Sequence, residues 1–480
     1  MTKLRPSRVH EALGPDFFDP VAPADFPETI VRYRNQRWAG KVGLGDLDTD
    51  AWVSHFGRFA PIEGSFGQPL ALRYHGHQFQ SYNPALGDGR GFLFAQLLDA
   101  QGRLLDLGTK GSGTTPWSRG GDGRLTLKGG VREVLATTML EALGVDTSKS
   151  FSLIETGEHL LRGDEPSPTR SSVLVRLSHS HIRVGTFQRL SYLNDSAGLE
   201  RLVAHCIAHY YPALAGQGAP ALLGAASEAV ARTGARMVAA GFIHGVLNTD
   251  NVNITGECFD YGPWRFLDTY DPDFTAAYFD ETGLYAFGRQ PDALAWTMTR
   301  LAEALLPIST PEALEPELNR FWPAFQRELA DAVIDRLGLV PSPDADENHA
   351  LVVAFFRALD DAKPPYEQVY FDLRGGPGDR ARLEASPLAA VHAGEAFAPL
   401  LEQMAGFSAR PDARAHSYFA RTRPRTMLIG EVEALWGAIA DRDDWAPLKG
   451  ALGEIEEMRE AYTPRPGGLE GAGEENFTVM

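Results

Sequence analysis

The spacing of hydrophobic and polar positions changes along this chain, which predicts a β-rich first part followed by a helical second part. Apolar runs in residues 70–107 are short and are interrupted by turn signals at residues 87–91 and 99–102. The two runs that flank the second turn, residues 92–97 and 104–109, predict strands that pair as a hairpin.

The next segments predict a loop, one helix and two further strands. Residues 111–130 are rich in Gly, Ser and Thr, which predicts a long ordered loop, and such loops tend to be functional. Apolar residues recur at every fourth position in residues 131–143, which predicts a helix that stops at Gly144. Residues 151–155 and 172–177 predict strands.

Helical periodicity dominates from about Leu199, most clearly in residues 228–240 and 291–306. Because strands come first and helices follow, instead of alternating regularly, the pattern indicates an α+β fold class.

The same pattern suggests how the chain is divided. We expect residues 1–70 to form an N-terminal extension that wraps the first lobe, and the alternative is a loosely ordered leader. Residues 71–190 are expected to form a β-rich first lobe with one key helix. Residues 191–480 are expected to form an enlarged, mostly helical second lobe with a C-terminal extension and a flexible tail at residues 467–475.

Composition narrows the class of protein. The chain has 480 residues, 44% of them hydrophobic, which supports a large core and excludes intrinsic disorder for most of the chain. Its 45 basic and 63 acidic residues give a net charge of −18, which argues against a dedicated nucleic-acid-binding protein. This balance leaves room for a local basic pocket that binds phosphates.

The cysteine content and the length of the apolar runs indicate the cellular compartment of the protein. Cys206 and Cys258 are the two cysteines, so a disulfide framework or a four-cysteine zinc site is excluded and a reducing compartment is favoured. No apolar stretch is long enough for a membrane span, and the first residues lack the apolar region of a secretory signal. We therefore expect a cytoplasmic protein.

The most informative motif begins at His244. A protein-kinase catalytic loop reads His-x-Asp with an Asn five residues after the Asp, and a metal-binding Asp-Phe-Gly element follows. Here Asn251 lies five residues after Val246, and Asp260 begins an Asp-Tyr-Gly sequence. The two metal ligands of a kinase are therefore in place, but an apolar residue, Val246, occupies the position of the catalytic base.

Asp250 stands beside Asn251 and is the obvious substitute base or a further ligand. Amide and carboxylate oxygens suit Mg²⁺ bound to nucleotide phosphates. The alternative is a turn in which Asn and Asp side chains cap backbone groups.

Lys110 and Glu133 precede this motif in the chain, in the order in which protein kinases carry the corresponding lysine and glutamate. Lys110 ends a predicted strand and Glu133 lies on the predicted helix that follows, which suits the ion pair that kinases use to hold phosphates. The alternative is an ordinary lysine and glutamate on the surface.

Further candidates for phosphate binding are glycines and arginines. In the turn at residues 87–91, Gly87 and Gly89 would let the backbone approach phosphates while Arg90 supplies charge, and the alternative is a simple hairpin turn. Arg176 and Arg183 carry planar guanidinium groups suited to phosphates, and the alternative is a pair of surface salt bridges.

Two pairs of alternate histidines have the spacing of metal ligands on a strand, at residues 75 and 77 and at residues 179 and 181. No Cys or acidic cluster accompanies them in the sequence. We therefore favour packed or hydrogen-bonded histidines over a metal site.

Several longer motifs, taken in order, resemble those of the selenoprotein O (YdiU) family. The resemblance covers roughly residues 70–305 and thins beyond about residue 310. It is carried by Tyr74-His-Gly-His-Gln-Phe79, Asn83-Pro-Ala-Leu-Gly-Asp-Gly-Arg90, Leu107-Gly-Thr-Lys-Gly-Ser-Gly-Thr-Thr-Pro-Trp-Ser-Arg119, Asp122-Gly-Arg124, His244-Gly-Val-Leu-Asn-Thr-Asp-Asn251, Asp260-Tyr-Gly-Pro263 and Tyr285-Ala-Phe-Gly-Arg-Gln-Pro291.

The resemblance implies a protein-kinase-like, two-lobed fold and an enzyme that transfers AMP, not phosphate, to Ser, Thr and Tyr hydroxyls of proteins. It implies that ATP is inverted relative to a kinase, with Mg²⁺ or Mn²⁺ as the metal and UTP as an alternative nucleotide. The implied partners are protein substrates, including the chain itself. We expect a monomer without nucleic-acid or membrane partners.

The resemblance also implies roles for individual residues. Asp250 would be the base, Asn251 and Asp260 would hold the metal, and Glu133 would orient the lysine. The implied nucleotide and phosphate ligands are Gly87, Gly89, Arg90, Lys110, Asp122, Gly123, Arg176 and Arg183.

The chain departs from the family at its C-terminal end, where many members carry a Cys or selenocysteine. The last cysteine here is Cys258, so a redox switch of that kind is not expected. Two other functions remain open on the residues alone. One is a true phosphotransferase, against which Val246 argues, and the other is a silent nucleotide-binding scaffold, against which the intact metal ligands argue.

Overall fold

The structure of the protein is a computed structural model that describes residues 2–463 and 477–478. Within these residues the chain forms fourteen strands and sixteen α-helices, which confirms the predicted α+β class. The predicted flexible tail at residues 467–475 lies outside the described residues.

The strands are short at the N-terminus and longest in the middle of the chain. They are β1 (Pro6–Ser7), β2 (Phe18–Pro20), β3 (Ile30–Asn35), β4 (Leu70–Leu72), β5 (Gly76–Gln78), β6 (Ser81–Asn83), β7 (Leu93–Leu98), β8 (Leu104–Lys110), β9 (Leu125–Thr126), β10 (Lys149–Leu160), β11 (Thr169–Ser178), β12 (Phe242–Ile243), β13 (Arg265–Phe266) and β14 (Phe477–Thr478).

The helices dominate the second half of the chain. They are α1 (Gln36–Lys41), α2 (Thr49–Phe56), α3 (Leu127–Ala142), α4 (Val184–Tyr192), α5 (Ser196–Tyr210), α6 (Ala219–Ala239), α7 (Gln290–Leu305), α8 (Pro311–Leu318), α9 (Phe321–Arg336), α10 (Ala345–Ala362), α11 (Tyr366–Leu373), α12 (Arg380–Ala385), α13 (Ala389–His392), α14 (Ala398–Ala405), α15 (Ile429–Arg442) and α16 (Ala446–Tyr462). Short 3₁₀ turns lie at Val9–Leu13, Pro212–Leu214, Thr249–Asn251, Phe287–Arg289, Leu306–Ile308 and Ser417–Ala420.

Ten of these strands form one antiparallel sheet. Its order is β14-β3-β10-β11-β8-β7-β4-β2, with β1 beside β7 and β9 beside β11. Residues 6–35 therefore supply three strands to the sheet. The predicted hairpin at residues 92–97 and 104–109 is confirmed as β7 and β8, and the predicted strands at residues 151–155 and 172–177 are confirmed within β10 and β11.

Helix α3 crosses this sheet and packs against β10 and β11. It confirms the helix predicted from apolar spacing but begins four residues earlier, at Leu127. The cause is a cap, because the hydroxyl of Thr126 accepts a hydrogen bond from the backbone N–H of Gly129 at 3.1 Å. The prediction of a loop over residues 111–130 was therefore wrong for its last six residues, which form β9 and the start of α3.

Helix α6 is the axis of the helical part and packs against α7, α8 and α9. The helices predicted at residues 228–240 and 291–306 are confirmed within α6 and α7. Alanine and branched side chains along α6 lie in the largest hydrophobic core of the described residues. The chain leaves α6 through β12 and enters the segment of residues 244–251, so this core fixes the segment that carries the candidate chemistry. None of the helices within residues 2–463 has the length and apolarity needed to cross a membrane.

Candidate active site

A cleft of about 720 Å³ lies between the sheet and the segment after α6. Cavities of this size hold small ligands such as nucleotides. Seven basic and four acidic side chains line the cleft, although the whole chain carries a net charge of −18. The acidic protein therefore contains a local basic pocket, as its composition allowed.

The structure gathers the residues singled out from the sequence in this one cleft. Glu133 lies behind the wall and contacts a lining residue, Lys110. The others line the cleft directly: Gly87, Gly89, Arg90, Lys110, Asp122, Gly123, Arg176, Arg183, Asp250, Asn251 and Asp260.

Lys110 is buried at the end of β8, opposite Leu174 of β11. Its ammonium forms an ion pair with the carboxylate of Glu133 on α3 and lies 3.3 Å from a carboxylate oxygen of Asp260. Because Lys110 and Glu133 are 6% and 1% exposed, the alternative of two ordinary surface residues is wrong. A buried ion pair of this kind fixes the ammonium at the wall of the cleft.

Asp260 is the anion around which the cations of the cleft gather. Arg176 Nη1 donates to its carboxylate at 2.6 Å, and Arg183 Nη2 lies 3.6 Å away. Burial alone would raise the pKa of Asp260, but Arg176, Lys110 and Arg183 outweigh it and hold that pKa well below its usual range. Asp260 is therefore ionised and able to bind a cation at neutral pH.

Arg176 and Arg183 are 4% and 3% exposed, so the alternative of two surface arginines is wrong. Arg176 lies on β11 opposite Gly108 of β8, and a Cβ on Gly108 would lie 2.1 Å from the ring of His181. Arg183 lies just before α4, and its guanidinium stacks 4.3 Å from the ring of Tyr74 and donates to Asp88 at 3.1 Å. These contacts fix the guanidinium groups before any ligand binds.

The glycine-rich turn owes part of its composition to packing. A Cβ on Gly87 would lie 2.4 Å from the ring of Trp117, and one on Gly89 would lie 2.9 Å from the carbonyl oxygen of Trp117. The turn therefore packs closely against the loop that follows β8. In that loop Asp122 forms an ion pair with Arg162 at 2.8 Å, and Gly123 has a φ of +69° that favours glycine.

The segment of residues 244–251 brings Asp250 and Asn251 into the cleft. The His244 ring nitrogen Nε2 lies 3.0 Å from the carbonyl oxygen of Phe259, which ties this segment to the one that carries Asp260. Asn251 Nδ2 donates to the carbonyl of Val246 at 3.0 Å, which leaves its amide oxygen for another partner. Val246, at the position of a kinase base, lines the cleft with an apolar side chain.

Among the described residues that line the cleft, Asp250 has a carboxylate oxygen without a hydrogen-bond partner, as Arg176 and Arg183 have unpaired Nε atoms. Asp250 is 8% exposed, and its Oδ1 atom has no hydrogen-bond partner among the described residues. Burial raises the pKa of Asp250 to about 6, and the positive charge of Arg183 limits the rise. A carboxylate with a raised pKa is better suited to accept a proton near neutral pH than one with an ordinary pKa.

The hairpin of β5 and β6 supports Asp250 from the other side. A Cβ on Gly76 would lie 3.1 Å from Cβ and Oδ1 of Asp250, and the backbone N–H of His77 donates to Oγ1 of Thr249 at 2.8 Å. His75 and His77 hydrogen-bond to Tyr82 and Gln188, which confirms the interpretation of hydrogen-bonded histidines for this pair.

Sequence reasoning missed three contributors to this cleft. Asp88 orients Arg183, Trp117 supports the glycine turn, and the hairpin of β5 and β6 backs Asp250. Asp88 and Trp117 lie inside the quoted motifs, but nothing in the local sequence shows which distant residue each of them meets.

Comparison of the sequence with known proteins finds one matching family model and several relatives of the same name. The sequence model of the family described as "Protein adenylyltransferase SelO" matches residues 1–456. The Protein nucleotidyltransferase YdiU of Synechocystis sp. is 42% identical over 464 residues, which cover 93% of this chain and 96% of the relative. Proteins of the same name from Gloeobacter violaceus and Bradyrhizobium sp. are 44% and 35% identical, over 92% and 91% of this chain and 93% and 90% of their own lengths.

Proposed function

Because the chain belongs to the protein adenylyltransferase SelO family, it is a protein nucleotidyltransferase, and we propose that it transfers AMP from ATP to Ser, Thr or Tyr hydroxyls of proteins and releases pyrophosphate. UTP is the alternative nucleotide. The observation that carries the proposal is the gathering of Lys110, Arg176 and Arg183 around Asp260, in the same cleft as Asp250 and Asn251.

The proposal includes a protein-kinase-like arrangement of two lobes. The sheet with α3 corresponds to the first lobe, and the helical part around α6 corresponds to the second. It is supported by the Lys110–Glu133 ion pair and by the order of Asn251 and Asp260 along the chain.

Nucleotide binding is assigned to the basic side of the cleft. Lys110, Arg176 and Arg183 are held in place by buried contacts, so they meet phosphate oxygens without first losing side-chain freedom. The further ligands that we propose are Gly87, Gly89, Arg90, Asp122 and Gly123. The accumulated charge suits pyrophosphate, which is the more highly charged product of attack at the α-phosphate.

The donor atoms fit a hard divalent metal. Among the described residues, no group of three or more His, Cys, Asp or Glu side chains is placed to hold a metal ion. An amide oxygen from Asn251 and a carboxylate from Asp260 are oxygen donors of the kind that Mg²⁺ and Mn²⁺ take together with substrate phosphates. When bound, such a metal would offset charge on the phosphates.

The transfer step needs a base, because a hydroxyl oxygen that attacks phosphorus must lose its proton. We assign this role to Asp250, whose buried Oδ1 has no partner among the described residues. The new bond joins the acceptor oxygen to the α-phosphorus, the bond from that phosphorus to the bridging oxygen breaks, and the proton passes to the Asp250 carboxylate.

The test is intact-protein mass spectrometry of the chain and of an added protein acceptor after incubation with ATP and Mg²⁺ or Mn²⁺. We expect a gain of one AMP unit in the wild type and almost none in Lys110→Ala. Lys128→Ala is the matched control, because Lys128 forms its ion pair with Glu433 on the outside of the molecule. A gain of one phosphoryl unit would replace the proposal with a phosphotransferase, and full activity of Lys110→Ala would refute the site.

A further inference from the structure

Three exposed aromatic side chains lie close together, and the first of them directly follows Gln78, which lines the cleft. Phe79, Tyr278 and Phe279 are 36%, 87% and 47% exposed. The ring centroids of Phe79 and Phe279 are 5.9 Å apart, and those of Tyr278 and Phe279 are 5.2 Å apart. We call these three residues the aromatic surface.

The aromatic surface is joined directly to the candidate catalytic segment. Oδ1 of Asn248 accepts hydrogen bonds from the backbone N–H of Phe79 at 3.0 Å and from the hydroxyl of Tyr285 at 2.7 Å. Asn248 itself lines the cleft and lies two residues before Asp250. The aromatic surface therefore adjoins the segment that carries the proposed base.

The backbone under these side chains is held in place. The carboxylate of Asp280 accepts from the backbone N–H groups of Leu284 and Tyr285 at 2.9 and 2.8 Å. On the other side, Phe79 is the first of the two turn residues of the β5–β6 hairpin and has a φ of +47°. Exposed aromatic residues on a fixed backbone are typical of protein interaction surfaces, where they supply much of the binding energy.

The surroundings of the aromatic surface are acidic. Asp271, Asp273 and Glu281 lie exposed in the loop that carries Tyr278 and Phe279. Two cations contact this loop and are outnumbered by these carboxylates: Arg289 donates to the carbonyl oxygens of residues 282 and 283 at 3.1 and 3.4 Å, and Lys363 donates to that of Tyr270 at 2.9 Å. The surface therefore complements an apolar side chain flanked by basic residues.

We propose that the aromatic surface docks the acceptor protein through a segment in which an apolar side chain stands next to lysine or arginine, close to the hydroxyl that receives the nucleotide. This inference rests on the proposed function and names the kind of partner that the site takes. A small-molecule acceptor or a second copy of the chain would be a different occupant.

The test compares two synthetic peptide pools, each with Ser, Thr or Tyr as the acceptor. One pool has Leu or Phe beside Lys, and the other has Ser beside Glu at the same positions. Binding to the full chain is measured by fluorescence anisotropy, and AMP transfer is measured by mass spectrometry. We expect the wild type to prefer the first pool by about tenfold or more in both readouts.

The variant Phe79→Asn/Phe279→Ser removes two rings while asparagine tolerates the positive φ at position 79. We expect it to lose the preference between the pools and to keep the affinity for ATP of the wild type. Trp322→Ser on α9, which removes a ring that is 42% exposed in the helical part, is the control and should keep the preference.

Equal binding of the two pools by the wild type, or an unchanged preference in the double variant, would overturn the inference. The inference would also be overturned if the wild type were a dimer and the double variant a monomer with an unchanged peptide preference. The aromatic surface would then be occupied by a second copy of the chain. A preference in binding without AMP transfer to either pool would support the docking surface and refute the proposed function.

Discussion

Arg176 donates a hydrogen bond to the carboxylate of Asp260 at 2.6 Å, although 84 positions separate the two residues in the sequence. Lys110 and Arg183 approach the same carboxylate at 3.3 and 3.6 Å. The cations proposed to bind phosphates are therefore gathered around a single anion before a ligand arrives. A bound nucleotide has to compete with Asp260 for these cations, and the proposed metal has to compete with the cations for Asp260.

Because of this competition, we expect Asp260→Asn to affect the binding of metal-free ATP and the transfer of AMP differently. The change frees Lys110, Arg176 and Arg183 for phosphates but removes a charged metal ligand, so we expect metal-free ATP to bind at least as tightly as in the wild type. Transfer of AMP should fall by about a hundredfold or more. Calorimetric titration with ATP in the presence of a chelator, followed by a transfer assay with Mg²⁺ or Mn²⁺, measures the two effects separately.

Asp146→Asn serves as the control for Asp260→Asn. Asp146 pairs with Arg232 and Arg236 at 2.8 and 3.3 Å and does not line the cleft, so neither ATP binding nor transfer should change. Weaker binding of metal-free ATP by Asp260→Asn would contradict the view that this carboxylate competes with phosphates.

Gly76→Ala tests the support that the β5–β6 hairpin gives to Asp250. The added methyl group would lie 3.1 Å from Asp250, so the carboxylate has to shift by a few tenths of an ångström or more. A displaced base slows transfer without a direct effect on nucleotide contacts, and we expect kcat to fall by about ten- to a hundredfold while the Kd for ATP is unchanged.

The matched control is Gly67→Ala, because a methyl group at Gly67 meets nothing within 4 Å. Its activity should equal that of the wild type. Wild-type kcat in Gly76→Ala would show that the hairpin does not position Asp250.

Lys110 and Asp250 differ in how many of their contacts could be predicted from the sequence. The helix that carries Glu133 and the strand that carries Lys110 follow from local spacing, and the order of motifs joins the two residues in one site. The contact of Gly76 with Asp250 does not follow from local spacing, because it joins segments about 170 residues apart. Such contacts depend on how the sheet and α6 pack together.

The start of α3 is a second feature that the local sequence did not predict. Gly, Ser and Thr in residues 111–130 indicate a loop, yet the hydroxyl of Thr126 caps a helix there and Gly129 and Gly130 become helical. A Cβ on Gly130 would lie 2.4 Å from the side chain of Leu153 on β10. These glycines therefore reflect close packing of a helix on the sheet, which local composition does not distinguish from a flexible loop.

Val246→Asp tests whether a restored kinase base is enough to change the chemistry. Val246 lines the cleft, and its carbonyl oxygen accepts from Asn251 at 3.0 Å, so the position is close to the proposed metal ligand. We expect no transfer of the γ-phosphate in this variant, because the orientation of the nucleotide depends on the fixed cations and not on residue 246. Val246→Asn is the uncharged control, and intact-protein mass spectrometry distinguishes a phosphoryl unit from an AMP unit. A phosphoryl adduct in Val246→Asp alone would refute the argument from orientation.

A buried group of histidines outside the cleft predicts how stability depends on pH. His10 is 3% exposed, its ring lies 6.1 Å from that of His205, and neither of its ring nitrogens has a hydrogen-bond partner among the described residues. Burial lowers the pKa of His10 to about 4 and that of His205 to about 3, while Asp106 opposes the shift in each case.

The sign of the effect follows from proton binding. In the unfolded chain these histidines take up protons below about pH 6.5, whereas in the folded chain they stay neutral down to about pH 4. The free energy of unfolding should therefore fall as the pH drops through this window, by up to about 1.4 kcal/mol per pH unit for each histidine. His10→Leu removes one of these groups, so its Tm should fall less than that of the wild type between about pH 7 and about pH 5.

His349→Leu is the control for His10→Leu, because His349 lies exposed on α10 and its removal should leave the pH profile of Tm unchanged. The two variants are compared with the wild type by thermal unfolding across the same pH series. If His10→Leu lost as much Tm on acidification as the wild type, proton uptake by His10 in the unfolded chain would not be a source of the acid sensitivity. Asp106, which hydrogen-bonds Gln96 at 2.8 Å and the backbone N–H of His181 at 2.8 Å, is unchanged in either variant. Because the charge of His10 also helps to lower the pKa of Asp106, part of the changed pH profile of His10→Leu comes from this carboxylate.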